Sequence, residues 1–167
     1  MTRLVDFSKF TSVRIGGVHE IFEVDSLEDL SSPHFLGSVM IGGGNNLLIS
    51  PNPPKMAMLG KSFDYINLEI CDEKICLEIG AATKSAKIYN FCKQNNIAHL
   101  EFLKNIPGTL GGLIKMNAGL LKFSISDNLT HVHLARGWVS KEEISFSYRH
   151  SGIDEAILGA KFELHSG

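Results

Sequence analysis

Polar and apolar residues alternate through Glu20-Ile21-Phe22-Glu23-Val24, the period of a half-buried strand. Ser26 ahead of Leu27, Asp29 and Leu30 predicts an N-cap and a short helix. Val39-Met40-Ile41 reads as a buried strand that runs into Gly42-Gly43-Gly44-Asn45-Asn46, and Leu47-Leu48-Ile49 resumes the apolar run. Alternation returns in Tyr65 to Ile70 and Ile75 to Ile79, which flank Asp72-Glu73 and predict a β-hairpin. Thr83 then predicts the cap of a helix with an inward stripe of Ser85, Ile88, Tyr89 and Cys92, stopped by Asn95-Asn96. Further strands are expected at Thr130 to Ala135, Ile144 to Tyr148 and Ala156 to Leu164. Strands dominate and the helices are inserted irregularly, so the expected class is α+β rather than a βαβ series. Pro51, Pro53 and Pro54 mark the nearest thing to a linker, which predicts a first lobe over residues 1–54 and a second over 55–167.

Composition narrows the class without naming a function. The chain has 167 residues, 44% hydrophobic, 20% charged and 8% aromatic, a globular profile with enough length to bury its own core. Sixteen Lys and Arg against eighteen Asp and Glu give a formal charge of −2, with no basic footprint for nucleic acid and no like-charge run suited to a membrane surface. The N-terminal segment has no apolar core of a signal peptide, and every apolar run is too short to span a bilayer, so a cytoplasmic protein is expected. Cys71, Cys76 and Cys92 lack Cys-x-x-Cys spacing and read as small hydrophobes in a reducing compartment. His131-x-His133 puts two imidazoles on one face of a strand, but no third ligand stands at metal-binding spacing, so no metal is expected.

Glycine carries the chemical signal. Three consecutive glycines between apolar runs each give up about 0.5–1 kcal/mol against alanine in a regular element, so Gly42-Gly43-Gly44 must supply positive φ or a backbone free of side chains. Such a loop is either a tight turn or a nest of N–H groups suited to a pyrophosphate. It matches neither Gly-x-Gly-x-x-Gly nor a P-loop. A second cluster, Ile106-Pro107-Gly108-Thr109-Leu110-Gly111-Gly112 leading to Met116-Asn117-Ala118-Gly119, lets the backbone lie against a flat or charged ligand. Two such loops in one small chain suggest an extended ligand gripped at two places, and a dinucleotide fits better than a sugar or a metal. Tyr148-Arg149-His150-Ser151 follows a strand-like alternation; Arg149 is either a surface ion pair or a guanidinium fixed to meet an oxyanion.

Together these segments resemble the UDP-N-acetylenolpyruvoylglucosamine reductase (MurB) family of flavoenzymes. Thr11-Ser12-Val13-Arg14-Ile15-Gly16-Gly17 is similar to the family's early Thr-x-x-x-x-Gly-Gly segment. Gly42 to Leu48 is similar to its Gly-Gly-Gly-Ser-Asn-Leu-Leu loop, with Asn45 in place of serine. His99-Leu100-Glu101-Phe102-Leu103 and Ile106 to Gly119 are similar to its Gly-Leu-Glu-Phe-Leu and Ile-Pro-Gly-Thr-x-Gly-Gly-x-x-x-Met-Asn-Ala-Gly segments, and Tyr148, Arg149 and Ser151 to its Tyr-Arg-x-Ser signature. The four segments fall in family order along nearly the whole chain. Leu120-Leu121-Lys122 replaces the common Ala-Tyr-Gly.

The resemblance implies an α+β FAD-binding fold of the vanillyl-alcohol-oxidase (PCMH) type, two small α+β subdomains with the flavin between them. It implies that Gly42, Gly43, Gly44, Asn45 and Asn46 hold FAD together with Ile106, Pro107, Gly108, Gly111, Gly112, Asn117 and Gly119. It further implies that NADPH reduces the flavin, that hydride passes to UDP-N-acetylglucosamine enolpyruvate in peptidoglycan precursor synthesis, that Arg149 steadies the enolate, and that Tyr148 contacts substrate. The family's proton-donating serine, in a Gly-Ser-x-Phe-Lys-Asn-Pro segment, and a catalytic glutamate belong to a substrate domain that the sequence does not contain. The chain is therefore expected to bind FAD yet turn over weakly or not at all alone. Self-association or a partner chain is expected on the face left uncovered, and a flavin- or nucleotide-binding module without catalysis, acting with a partner chain, is the alternative.

Overall fold

The computed structural model describes residues 1–167 and has three β-sheets with few helices. The first sheet has strand order β1 (Thr2–Asp6), β2 (Val18–Val24), β4 (Met56–Leu59) and β3 (Val39–Ile41). β1 and β2 pair antiparallel, whereas β2 and β3 both run parallel to the central β4. A one-turn helix, α1 (Phe7–Phe10), follows β1 and is capped by Asp6, whose carboxylate accepts the Ser8 amide at 3.1 Å. β4 follows the division expected at 54/55, yet it pairs inside this sheet; Gly60 is the first residue beyond it.

The second sheet has order β10 (Gly137–Ser140), β9 (Leu129–Leu134), β11 (Ile157–Leu164), β6 (Lys74–Gly80) and β5 (Ile66–Cys71), antiparallel throughout. The expected hairpin is β5–β6, turned by Asp72 and Glu73 with φ of +48° and +67°, the primed geometry that matches strand twist. One face of this sheet packs against α2 (Ser85–Gln94), α3 (Leu110–Lys115) and the 3₁₀ turn Glu101–Asn105 over a core of 23 buried residues. α2 buries Ser85, Ile88 and Cys92 as its spacing predicts and stops at Asn95, whose amide side chain donates back to the Phe91 carbonyl at 2.8 Å. A small hairpin of β7 (Gly119–Leu120) and β8 (Phe123–Ser124) completes the structure.

The two larger sheets share a seam. Phe22, Val24, Leu30 and Ala57 from the first part pack with Phe63 and Leu158 from the second, all buried. Each fully buried side chain of this size contributes about 1.5–3 kcal/mol. The seam therefore supplies the floor against which both sheets are held.

The short helix expected after Ser26 forms as a 3₁₀ turn over Glu28–Ser31, with the Asp29 amide donating to the Ser26 hydroxyl at 3.4 Å and the Asp29 carboxylate taking the Asp25 and Ser26 amides at 2.8 and 3.1 Å. Those amides hold the Asp29 carboxyl below the usual carboxylate range. Thr83 does not cap α2; its hydroxyl is buried and donates to the Tyr65 carbonyl at 3.2 Å, leaving Lys84 at the cap position. Residues 144–148 form no strand: Ile144 and Phe146 pack against the main core and the chain turns back at a bridge between Ser147 and His150.

The cysteines divide by environment. Cys92 is buried and its thiol is pushed up to about 12 by burial, with the nearby Glu101 charge adding to it. Cys76 is half-buried and pushed up to about 11 by a hydrogen bond with the Cys71 thiol, then by burial. Cys71 is exposed at the hairpin end, so it is not a core hydrophobe. Because the thiolate is the reactive form, an aromatic disulfide reagent at pH 8 is expected to modify Cys71 first, Cys76 more slowly and Cys92 only on unfolding. Three equal rates in the native protein would contradict this assignment.

Candidate functional site

The two glycine loops, far apart in sequence, touch. A Cβ on Gly43 would lie 3.3 Å from the Gly108 Cα and 3.4 Å from the Thr109 amide nitrogen. A Cβ on Gly42 would lie 2.9 Å from the Thr109 hydroxyl oxygen. Neither residue has positive φ, so glycine serves here for closeness: Gly43 lies tight against the second loop's backbone and Gly42 against the Thr109 hydroxyl. Gly44 has both needs: φ is +74° and a Cβ would fall 2.7 Å from the Phe10 ring.

Each loop is braced from its own side. The Ser12 amide donates to the Gly44 carbonyl at 3.1 Å and its hydroxyl to the Asn45 carbonyl at 2.6 Å. Thr11, buried, donates its hydroxyl to the Phe7 carbonyl at 2.8 Å, which fixes the segment that carries Ser12. On the other side the Ser85 amide donates to the Gly108 carbonyl and the Leu110 amide to the Thr83 carbonyl, each at 2.9 Å. The early threonine segment is thus a brace for the glycine loop.

Beside this contact lies a cleft of about 850 Å³, of a size suited to a large cofactor. Gly42, Gly43, Thr109, Gly111 and Gly112 line one part of it. Leu30, Phe35, Met40, Met58, Leu59 and Ala82 give another part an apolar wall. The amides of Gly42, Gly43, Gly44, Asn45 and Asn46 donate to no backbone carbonyl, and neither do those of Gly108, Thr109 and Gly112. Unpaired N–H groups beside a cleft favour an anion.

Among the expected cofactor residues, Gly42, Gly43, Gly111 and Gly112 line the cleft, and Gly44, Asn45 and Gly108 stand directly behind them. Asn46, Ile106, Pro107, Asn117 and Gly119 are not on its wall. Asn117, with φ of +42°, instead donates its side-chain amide to the Ser147 carbonyl at 2.9 Å, and its Oδ1 is buried without a hydrogen-bond partner. Ser151 is buried and donates to the Lys115 carbonyl at 2.7 Å. The Lys115 ammonium donates to the Ile153 carbonyl. These bonds fasten the Tyr148–Arg149 turn to the end of α3.

Arg149 does not sit at a strand end. It occupies a turn closed by a bridge between Ser147 and His150, has φ of +54°, and places its guanidinium 5.7 Å from the Tyr148 ring centroid. Both residues are exposed and neither lines the cleft. His131 and His133 gather no third ligand: no group of three or more His, Cys, Asp or Glu side chains stands together, and His133 stacks on Trp138 at 4.6 Å. No helix is long and apolar enough to cross a membrane.

Named relatives of the chain are found among known proteins. The chain is 43% identical over 167 residues to the UDP-N-acetylenolpyruvoylglucosamine reductase of Campylobacter jejuni, covering 98% of this chain and 62% of that protein. It is 39% identical over 163 residues to the protein of the same name from Helicobacter pylori, covering 98% and 60%. Along nearly its whole length the chain is similar to UDP-N-acetylenolpyruvoylglucosamine reductases. It spans about 60% of the length of these relatives. The crystal structure of the Thermus caldophilus reductase (MurB) superposes with a TM-score of 0.84 at 23% identity, over 99% of this chain and 63% of that one, which shows a common fold. No protein-family model matches the chain.

Sequence reasoning missed the apolar wall of the cleft, because Met40, Met58 and Leu59 carry the same pattern as core strand residues. Thr109 was legible from its place between Gly108 and Gly111, and Lys84 carried no signal. The structure also separates two kinds of glycine. Gly44→Ala is expected to cost about 2–4 kcal/mol, from left-handed strain plus overpacking against Phe10. Gly17→Ala, with φ of +72° but nothing within 4 Å, is expected to lose only about 1 kcal/mol. Denaturant unfolding of both variants measures the difference, and equal losses would contradict the packing account.

Proposed function

We propose that the chain is the FAD-binding part of a UDP-N-acetylenolpyruvoylglucosamine reductase, with its two lobes meeting near Gly60 and the dinucleotide lying in the cleft between their glycine loops. The observation that carries this reading is the set of unpaired amides in the Gly42–Asn46 loop and at Gly108, Thr109 and Gly112, where the two loops meet beside a cleft of about 850 Å³. The fit to FAD is chemical: N–H donors for a pyrophosphate, glycines without side chains where it would lie, and an apolar wall for aromatic rings. A fold of the PCMH type, as in vanillyl-alcohol oxidase, agrees with two sheets joined at a seam under that cleft.

Bound FAD would supply a carrier of hydride from NADPH to the enolpyruvyl group of UDP-N-acetylglucosamine enolpyruvate. The chain's own part is to bind and orient. The amides of Gly42, Gly43 and Gly44 would hold the diphosphate, with Gly111 and Gly112 closing on it from the other loop. Arg149 would stabilise the enolate oxygen as negative charge develops there, and Tyr148 would contact the substrate beside it. For that role the Arg149 turn must be held still, and Asn117, Ser151 and Lys115 hold it.

The direct test is the visible absorption spectrum of the purified chain after incubation with FAD and desalting. Retained flavin bands are expected. A colourless protein that does not reconstitute would overturn the reading.

A further inference from the structure

Five charged side chains line the cleft: Lys9, Lys84, Lys115, Asp154 and Glu155. Four already have partners. Lys9 pairs with Asp6 at 3.6 Å, Lys115 with Asp154 at 4.0 Å, and Glu155 with Arg136 at 3.0 Å. Lys84 forms no ion pair and no side-chain hydrogen bond. It is the one charged side chain on the cleft wall without a partner.

Its backbone places it against the second glycine loop. Lys84 forms an isolated antiparallel bridge with Thr109, flanked by the Leu110 amide donating to Thr83 and the Ser85 amide donating to Gly108, both at 2.9 Å. Thr109 in turn is in contact with Gly42 and Gly43 of the first loop. An exposed, unpaired ammonium thus stands beside the place where two rows of unpaired amides converge. Backbone amides bring only partial charges to an anion; a full positive charge next to them makes a charge-assisted contact that is stronger than a neutral one.

We propose that Lys84 is the charge clamp of the cleft, the side chain that meets the diphosphate of the bound ligand and makes the site prefer a diphosphate ester over the same ring system without phosphate. This rests on the reading of the cleft as a dinucleotide site. Lys84 is solvent-exposed and caps α2 with its backbone, so replacing its side chain leaves the fold intact.

The test is a calorimetric titration of the whole chain and its Lys84→Ala and Lys84→Arg variants with FAD, ADP and riboflavin. In Lys84→Ala, FAD and ADP are expected to bind about tenfold more weakly, riboflavin is expected to bind unchanged, and Lys84→Arg is expected to stay near the parent. Raising salt is expected to weaken FAD binding to the parent more than to Lys84→Ala. Unchanged FAD and ADP affinity in Lys84→Ala would overturn the clamp while the cofactor reading stands. ADP binding that depends on Lys84 without any FAD binding would support the clamp and overturn the cofactor reading. A parent chain that binds neither FAD nor ADP would overturn both.

Discussion

The contact between Gly43 and the Gly108–Thr109 backbone is the constraint on which the rest of the structure converges. At 3.3–3.4 Å from a hypothetical Cβ, the two backbones approach more closely than a side chain ordinarily allows. No hydrogen bond joins the two loops to each other at this contact, so the approach is enforced from behind. Ser12 and Thr11 do so for the first loop, and the bonds from Ser85 and to Thr83 do so for the second. Below them the buried seam of Phe22, Val24, Ala57, Phe63 and Leu158 prevents the sheets from sliding apart. Loop contact, braces and seam form one mechanical unit with the cleft on its flank.

The same unit explains the electrostatics of the site. Where the loops meet, their N–H groups have no carbonyl partners, and Gly42, Gly43, Thr109 and Gly112 line a space bounded by apolar side chains from β3 and β4. Amides of this kind attract an anion, and the apolar wall attracts rings; a dinucleotide offers both. The tie from α3 to the Tyr148–Arg149 turn extends the unit outward, so the cradle and the arginine are joined through a helix of six residues.

Much of this was legible in the sequence, for identifiable reasons. The β5–β6 hairpin and the inward stripe of α2 were readable because alternation and helical spacing act locally, and the glycine loops because three adjacent glycines have no cheap explanation in a regular element. The failures were tertiary. Thr83 looks like a cap until its hydroxyl is claimed by the Tyr65 carbonyl. Residues 144–148 alternate like a strand, but Ile144 and Phe146 pack on the core outside any sheet and the chain turns back at Ser147–His150. The bond from the Asn117 amide to the Ser147 carbonyl, which ties α3 to the arginine turn, is likewise a long-range contact with no local signal. The pairing of β4, which follows the prolines, with β2 and β3 is a long-range event that proline spacing does not report.

The central claim is that both loops act on one ligand at once. Amide NMR of the isotopically labelled chain during a titration with FAD tests it most directly. The account predicts that the resonances of Gly42, Gly43 and Gly44 shift together with those of Gly108, Thr109 and Gly112, along curves that share one midpoint. Shifts confined to one loop, or a response centred elsewhere in the chain, would contradict it.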